Sequence, residues 1–201
     1  MTDRKDNLDD INLSAMDAGL KKLIFGCGWE FPAIDTEKPD VDLCCFLLGR
    51  DGITREDEDF IFYNNMQGAE LAVKHLGDNR PDIEGPVDGG GDNEAVMVDL
   101  TNLSFDVWRI VFVAAIYQGN DRDQSFSQIK ALTARVENAD SGAELHRIVI
   151  PGTRVPDATA VKIAELYREG VQWHIHPLCE PALGGLAEIA RAYGLQISST
   201  T

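Results

Sequence analysis

A chain of 201 residues, 44% of them hydrophobic, is long enough for one well-cored domain and has an ordinary globular composition. Its 34 acidic against 18 basic residues give a formal net charge of −16, which argues against nucleic acid or an anionic membrane surface as a direct partner and favours cations or basic proteins. No apolar run reaches the length of a transmembrane helix, and residues 1–10 are polar and acidic where a signal peptide would be basic and then apolar, so the expected location is the cytoplasm.

Residues 1–18 carry few apolar side chains and read as a flexible leader, with a single domain over 19–201. From Leu20 to Trp29 and from Leu43 to Leu48, short apolar runs bounded by Gly, Pro and Asp have strand length. Asp51-Gly52 is a type I′ hairpin signal, with Phe60 to Tyr63 as the return strand. Leu71 to Leu76 alternates loosely. Glu94 to Leu100 alternates clearly, with Val96, Val98 and Leu100 on one face. Val107 to Tyr117 is nearly continuous in apolar residues, as a central strand buried on both faces requires.

Ile129 to Asn138 alternates again, and Asp140-Ser141-Gly142 turns the chain into Glu144 to Ile150. Ala158 to Arg168 fits either period. The turn at Glu169-Gly170 and the alternation from Gln172 to His176 favour a hairpin over an amphipathic helix. Gly184 to Tyr193 reads as a short helix with Leu186, Ile189, Ala190 and Tyr193 on one face and Gly194 as its stop. Many short strands at regular intervals predict a mainly β chain, a β-sandwich of two sheets with a few short helices. The cysteines Cys27, Cys44, Cys45 and Cys179 lie in strand-like segments without C-x-x-C spacing and read as buried thiols. Of the adjacent Cys44 and Cys45, at most one is expected to face the core.

The stretch from Gly77 to Glu94 suits neither helix nor strand. Asp78, Asp82, Glu84, Asp88, Asp92 and Glu94 alternate with Asn79, Asn93, glycines and prolines, against the one opposing charge of Arg80. Carboxylates, amide oxygens and glycine-freed carbonyls are the donors a hard cation such as Ca²⁺ takes. Two carboxylates about 6 Å apart in water cost each other about 0.7 kcal/mol before salt screening, so a folded loop of them gains from a counter-ion. A solvated acidic loop is the other reading of the same composition. Upstream, Asp40 and Asp42 alternate on an extended segment and can share an ion; as a strand-edge pair they would simply face water.

Placed in order, these segments resemble the TerD family of tellurium-resistance and general-stress proteins. The resemblance is carried by Gly28-Trp29-Glu30, Asp40-Val41-Asp42-Leu43, Phe46-Leu47-Leu48-Gly49, Asp57 to Asn65, His75-Leu76-Gly77-Asp78-Asn79-Arg80, Gly91-Asp92-Asn93-Glu94, Ile110 to Val113, Gln124-Ser125-Phe126, Glu165 to Arg168 and Gly184-Gly185-Leu186. It implies a β-sandwich that binds Ca²⁺, with two ions expected, and a role in resistance to tellurite and other stresses. By the same resemblance Asp40 and Asp42 come from one loop and Asp78, Asn79, Asp92 and Glu94 from the other, with a backbone carbonyl near Gly91 completing the shell. Asn93 stands where the family usually has Asp and offers an oxygen without charge. Pro81 and Pro86 mark an insertion whose Asp88, beside the glycine run, is the candidate extra ligand. The implied partners are other tellurium-resistance or stress proteins at the membrane, with no membrane insertion and no nucleic acid. Asn64 and Asn65 either orient the loop or cap a strand end.

The competing constellation is His174-x-His176 with Glu180, which on a strand would imitate the metal motif of cupin enzymes; a structural His pair is its bland counterpart. No G-x-S-x-G elbow, phosphate loop or EF-hand spacing is present. The reading is therefore a calcium-binding interaction module and not an enzyme, with a metalloenzyme at His174, His176 and Glu180 as the alternative.

Overall fold

The computed structural model describes residues 9–33, 37–77 and 91–195. In chain order these form β1 (Ile11–Asn12), α1 (Leu13–Met16), β2 (Lys22–Glu30), β3 (Val41–Leu48), β4 (Phe60–Ile61), β5 (Gln67–Gly68), β6 (Val73–His75), β7 (Glu94–Asp99), β8 (Arg109–Ile116), β9 (Ala131–Asn138), β10 (Glu144–Pro151), β11 (Ala160–Glu169), β12 (Gln172–Ala182) and α2 (Gly185–Ala192). The strands make two six-stranded sheets, the first in the order β1-β12-β11-β8-β3-β4 and the second β10-β9-β2-β7-β6-β5. Every pairing is antiparallel. The chain is thus the expected β-sandwich. No helix among the described residues is long and apolar enough to cross a membrane.

Period-two patterning builds the main core. Leu23, Phe25 and Cys27 of β2, Val96 and Val98 of β7, and Leu132, Ala134 and Val136 of β9 face Leu43, Cys45, Leu47, Ile110, Phe112 and Leu166 of the first sheet. Phe25 stacks flat on Phe112 across the sandwich, with ring centroids 3.8 Å apart and planes 2° from parallel. Burying each such side chain contributes about 1.5–3 kcal/mol.

The first sheet is covered on its other face as well. Cys44, Phe46, Leu48, Val111, Val113 and Ala115 pack beneath Ile189, Ala190 and Leu195, with Leu186 and Tyr193 at the margin. This second core explains the unbroken apolar run of β8. It also corrects the reading of Cys44 and Cys45: the two point to opposite faces, and both are buried because both faces are covered.

Helix α2 ends before Gly194, which takes φ +90° as a helix stop requires. The ambiguous segment is β11, which pairs with β12 across the short turn at Gly170. Its register shifts between Lys162 and Ala164, so the consecutive residues Ile163 and Ala164 both reach the core. That bulge is what blurred the alternation. The Asp51-Gly52 turn departs from type I′: only Gly52 has positive φ, at +82°. The chain makes one bridge at Thr54 and a 3-10 turn over 57–59 before β4, which stops at Ile61. Asn65 caps this turn, donating to Phe60 O at 2.7 Å and Glu58 O at 3.1 Å.

Residues 9–18, read as part of a leader, are docked: β1 pairs with β12, Leu13 is fully buried, and Ser14 Oγ accepts from Trp173 N at 2.9 Å. Short edge strands and a helix with one buried residue leave too weak an apolar signal to be read from composition.

Candidate functional site

Antiparallel pairing brings the two described flanks of the acidic stretch, at Gly77 and at Gly91, to one end of the sandwich. Strands β6 and β7 are hydrogen-bonded neighbours, with His75 opposite Val96, so the connection from Gly77 to Gly91 starts and finishes side by side. Glu94 lies opposite Cys27 at the far end of β2. The start of β3, with Asp40 and Asp42, reaches the same end through Leu43.

Leu43 is the fastening point. β4 pairs only with Cys45 and Phe46, so it stops short of the edge of β3 at Leu43. Two side chains of the second sheet take over there. Leu43 N–H donates to Glu94 Oε2 at 2.5 Å, and Leu43 O lies 2.8 Å from His75 Nε2. Gly77 N–H donates to His75 Nδ1 at 3.0 Å, so the ring is neutral, carries its proton on Nε2 and donates it to Leu43 O. Its 3.5 Å approach to Glu94 Oε2 is therefore a dipole contact and not an ion pair. Gly77 at φ +76° makes the return geometry possible. An orphaned buried backbone group costs about 1–3 kcal/mol, and this clasp satisfies two of them across the two sheets.

The segment 91–93 is inlaid on the outer face of the second sheet. Alternation turns Gly26 and Gly28 outward, because Phe25 and Cys27 face the core. A Cβ on Gly26 would lie 1.9 Å from Asp92 Oδ2, and one on Gly28 would lie 2.4 Å from Gly91 O. Two missing side chains thus make the bed for this backbone. Asp92 Oδ1 accepts from Arg135 Nε at 2.9 Å, and Arg135 also approaches Glu137 at 3.5 Å. Asn93 N–H donates to Cys27 O at 2.8 Å while its Oδ1 accepts from Trp29 N–H at 2.9 Å. Its oxygen therefore serves the strand.

The consecutive residues Asp92, Asn93 and Glu94 do not converge on one point. Glu94 points between the sheets, and Asp92 lies on the outer face of the second sheet. Asp42 alternates with core-facing Val41 and Leu43, so it turns to the outer face of the first sheet. Asp40 is exposed, and its carbonyl accepts from Tyr117 N at 2.8 Å. Asp78, Asn79 and Asp88, with Asp82 and Glu84, lie outside the described residues. Among the described residues no group of three or more His, Cys, Asp or Glu is placed to hold a metal.

The field at this end is strongly negative. Burial pushes the Cys27 thiol up, and Asp92 and then Glu94 push it further. Cys44 rises through burial, then Cys45, Asp42 and Glu94. The Tyr63 hydroxyl is raised by burial, then Asp42, Tyr117 and Asp40. Burial and the neighbouring carboxylates thus favour the protonated form of both thiols. Arg135 and Gly26 were missed from the sequence, and Gly28 entered only as part of a family motif. The G-x-G spacing inside a strand was the available signal, because it clears one face for a close backbone approach.

The alternative constellation is dispersed. His174 is buried; its Nδ1 lies 2.8 Å from Asp10 Oδ2, and its ring stacks on Tyr167, whose hydroxyl donates to Asp10 Oδ1 at 2.9 Å. His176 lies opposite Glu165, and Glu180, beyond the bulge, is paired with Lys162. His174 thus helps hold the N-terminal segment on the sheet.

The TerD domain matches residues 7–193. The chain is 33% identical to Tellurium resistance protein TerD of Serratia marcescens over 189 residues, covering 94% of this chain and 95% of that protein. It is 34% identical to General stress protein 16U of Bacillus subtilis (strain 168) over 188 residues, covering 93% and 94%. In three dimensions it is similar to the crystal structure of a telluride resistance protein (TerD) homologue from Streptomyces coelicolor A3(2), with a TM-score of 0.63 and 19% identity over 89% of this chain and all of that one. Matched over nearly its whole length, the chain belongs to the TerD family of tellurium-resistance and general-stress proteins.

Proposed function

We propose that this chain is a Ca²⁺-binding stress protein of the cytoplasm that works by binding, not by catalysis. In this reading the ion orders the acidic end so that it can engage other tellurium-resistance or stress proteins. The supporting observation is the Leu43 clasp: His75 and Glu94, at the roots of the 78–90 connection, are bonded to the strand that starts at Asp40 and Asp42. Ordering either acidic segment is thereby felt by the other. The local donors are carboxylate and carbonyl oxygens beside protonated thiols, a set that suits a hard cation.

Asp40 and Asp42, with Asp78, Asn79 and Asp88, are the residues that would hold the ions, assisted by the Gly91 carbonyl. Asp92, Asn93 and Glu94 would fix the loop's exit through Arg135, Trp29 and Leu43. Bound Ca²⁺ would neutralise mutual repulsion, and the protein's own residues would set the approach of the two segments.

The test is thermal melting of metal-stripped protein with Ca²⁺, Mg²⁺ and Zn²⁺ added separately. Ca²⁺ at ~100 times its dissociation constant adds about 2.7 kcal/mol, or roughly 5–11 °C for a domain of this size. The double change Asp42→Asn with Asp78→Asn should erase the rise and leave the metal-free melting point nearly unchanged. No response to Ca²⁺, or an equal response in the double variant, would overturn the proposal.

A further inference from the structure

At the opposite end of the first sheet, arginines and aromatic rings alternate across neighbouring strands. The same β3–β8 pair that carries Asp40 beyond Val41 and Ile116 carries Arg50 and Trp108 beyond Leu48 and Arg109. Arg50 lies over the Trp108 ring, 4.9 Å from its centroid. On the next strand, Arg168 N–H reaches Trp108 O at 3.4 Å, and the Arg168 guanidinium is held between Phe105 and Trp173, 4.6 Å from each ring centroid. Arg168 Nη2 donates to Leu103 O at 3.4 Å.

Among the described residues neither Arg50 nor Arg168 is paired with a carboxylate, in a chain where acidic residues outnumber basic ones 34 to 18. Burial, with no carboxylate to offset it, pulls Arg168 below its ordinary value. Beside these cations Phe105 is 83% exposed and Val171, at the β11–β12 turn, is 94% exposed.

A guanidinium stacked on a ring still presents in-plane N–H donors, in Arg168 those beyond the one given to Leu103 O, and has little freedom left to lose on binding, which suits bidentate recognition of a carboxylate. The exposed Phe105 ring and Val171 offer apolar contact alongside. We propose that this end is a docking surface for an acidic segment of a partner protein that carries an aromatic or aliphatic side chain among its carboxylates. Charge complementarity decides the occupant. An acidic segment is repelled by a chain of net charge −16 as a whole and meets here two neighbouring arginines set among exposed apolar side chains. A flat anionic lipid surface would also meet the exposed carboxylates Asp51, Asp106 and Glu169 that flank the arginines, whereas a narrow segment can avoid them. The surface goes beyond the calcium reading and stands without it.

The test uses the full chain, with Ca²⁺ and with chelator, and two fluorescein-labelled peptides: phenylalanine flanked by glutamates, and the same peptide with glutamine for glutamate. Anisotropy should report binding of the glutamate peptide alone, weakening as salt is raised. Arg50→Gln and Phe105→Ala, both at exposed positions, should each weaken it about tenfold while leaving the melting temperature unchanged. Arg168→Lys, which keeps the charge and loses the planar stack, should weaken it as well. Absence of binding, or equal binding by the Arg50→Gln and Phe105→Ala variants, would overturn the inference. Binding to phosphatidylserine vesicles without binding to the peptide would overturn it in favour of a lipid surface.

Discussion

Replacing Glu94 by alanine tests the inter-sheet clasp directly. Glu94 is 5% exposed, and its Oε2 is the acceptor for Leu43 N–H at 2.5 Å. The substitution removes a hydrogen bond to a charged acceptor, worth about 1.5–3 kcal/mol, and leaves a buried N–H without a partner. It also removes one buried methylene, about 0.8 kcal/mol. The expected loss is about 2–4 kcal/mol, a large share of a typical stability of about 5–15 kcal/mol and roughly 4–16 °C in melting temperature. Glu94→Gln keeps an acceptor oxygen of the same reach and should lose about 1 kcal/mol. Urea unfolding in chelator separates this structural effect from any contribution of Ca²⁺. A loss under about 1 kcal/mol for the alanine variant, or equal losses for alanine and glutamine, would refute the reasoning, because the first would deny the bond's weight and the second its dependence on an acceptor.

Three further substitutions test neighbouring features of the second sheet. Gly28→Ala places a Cβ 2.4 Å from Gly91 O, a backbone atom that cannot rotate away, and should lower stability by about 1–3 kcal/mol; Gly26→Ala meets the movable Asp92 side chain and should instead break the Arg135 pair. A melting point for Gly28→Ala equal to that of the unaltered protein would count against the inlaid 91–93 segment. Burial raises the Asp99 carboxyl, but donors on Thr101 and Asn102 outweigh it and hold it below the ordinary 3.8. A depressed carboxyl contributes stability that is complete above its unfolded value and lost as pH falls through the folded one. Asp99→Asn should therefore be less stable near neutrality and flatter in its acid dependence; parallel curves below about pH 4 would sink this assignment.

The frame of the fold was legible because its signals are local. The continuous apolar run of β8, the Gly170 turn and the Gly194 helix stop each follow from one stretch of chain. What was not legible depends on what lies opposite. Cys44 is buried only because α2, far along the chain, covers the outer face of the first sheet. Ile163 and Ala164 share a side only because the strand bulges. At the site, adjacency suggested that Asp92, Asn93 and Glu94 act together. In the fold they leave the strand end in different directions and bond to Arg135, Trp29 and Leu43, three partners from three strands. His75 entered the reading only as part of a family motif, and its role depends on an edge of β3 left open by the shortness of β4.

The second core has a kinetic consequence. The outer apolar face of the first sheet is covered chiefly by one eight-residue helix, α2, with Leu195 beyond it. A lone helix of this length has little intrinsic stability and is held by its contacts with the sheet. Its detachment would leave the main sandwich core, with the Phe25–Phe112 stack, untouched. The helix can therefore open as a cooperative unit well before global unfolding, with its amides exchanging hydrogen faster than those of β8 beneath it. Each opening would expose Phe46, Val111 and Val113 together, a contiguous sticky patch on an otherwise highly charged molecule. Aggregation on heating would then start from this face while the two sheets are still folded.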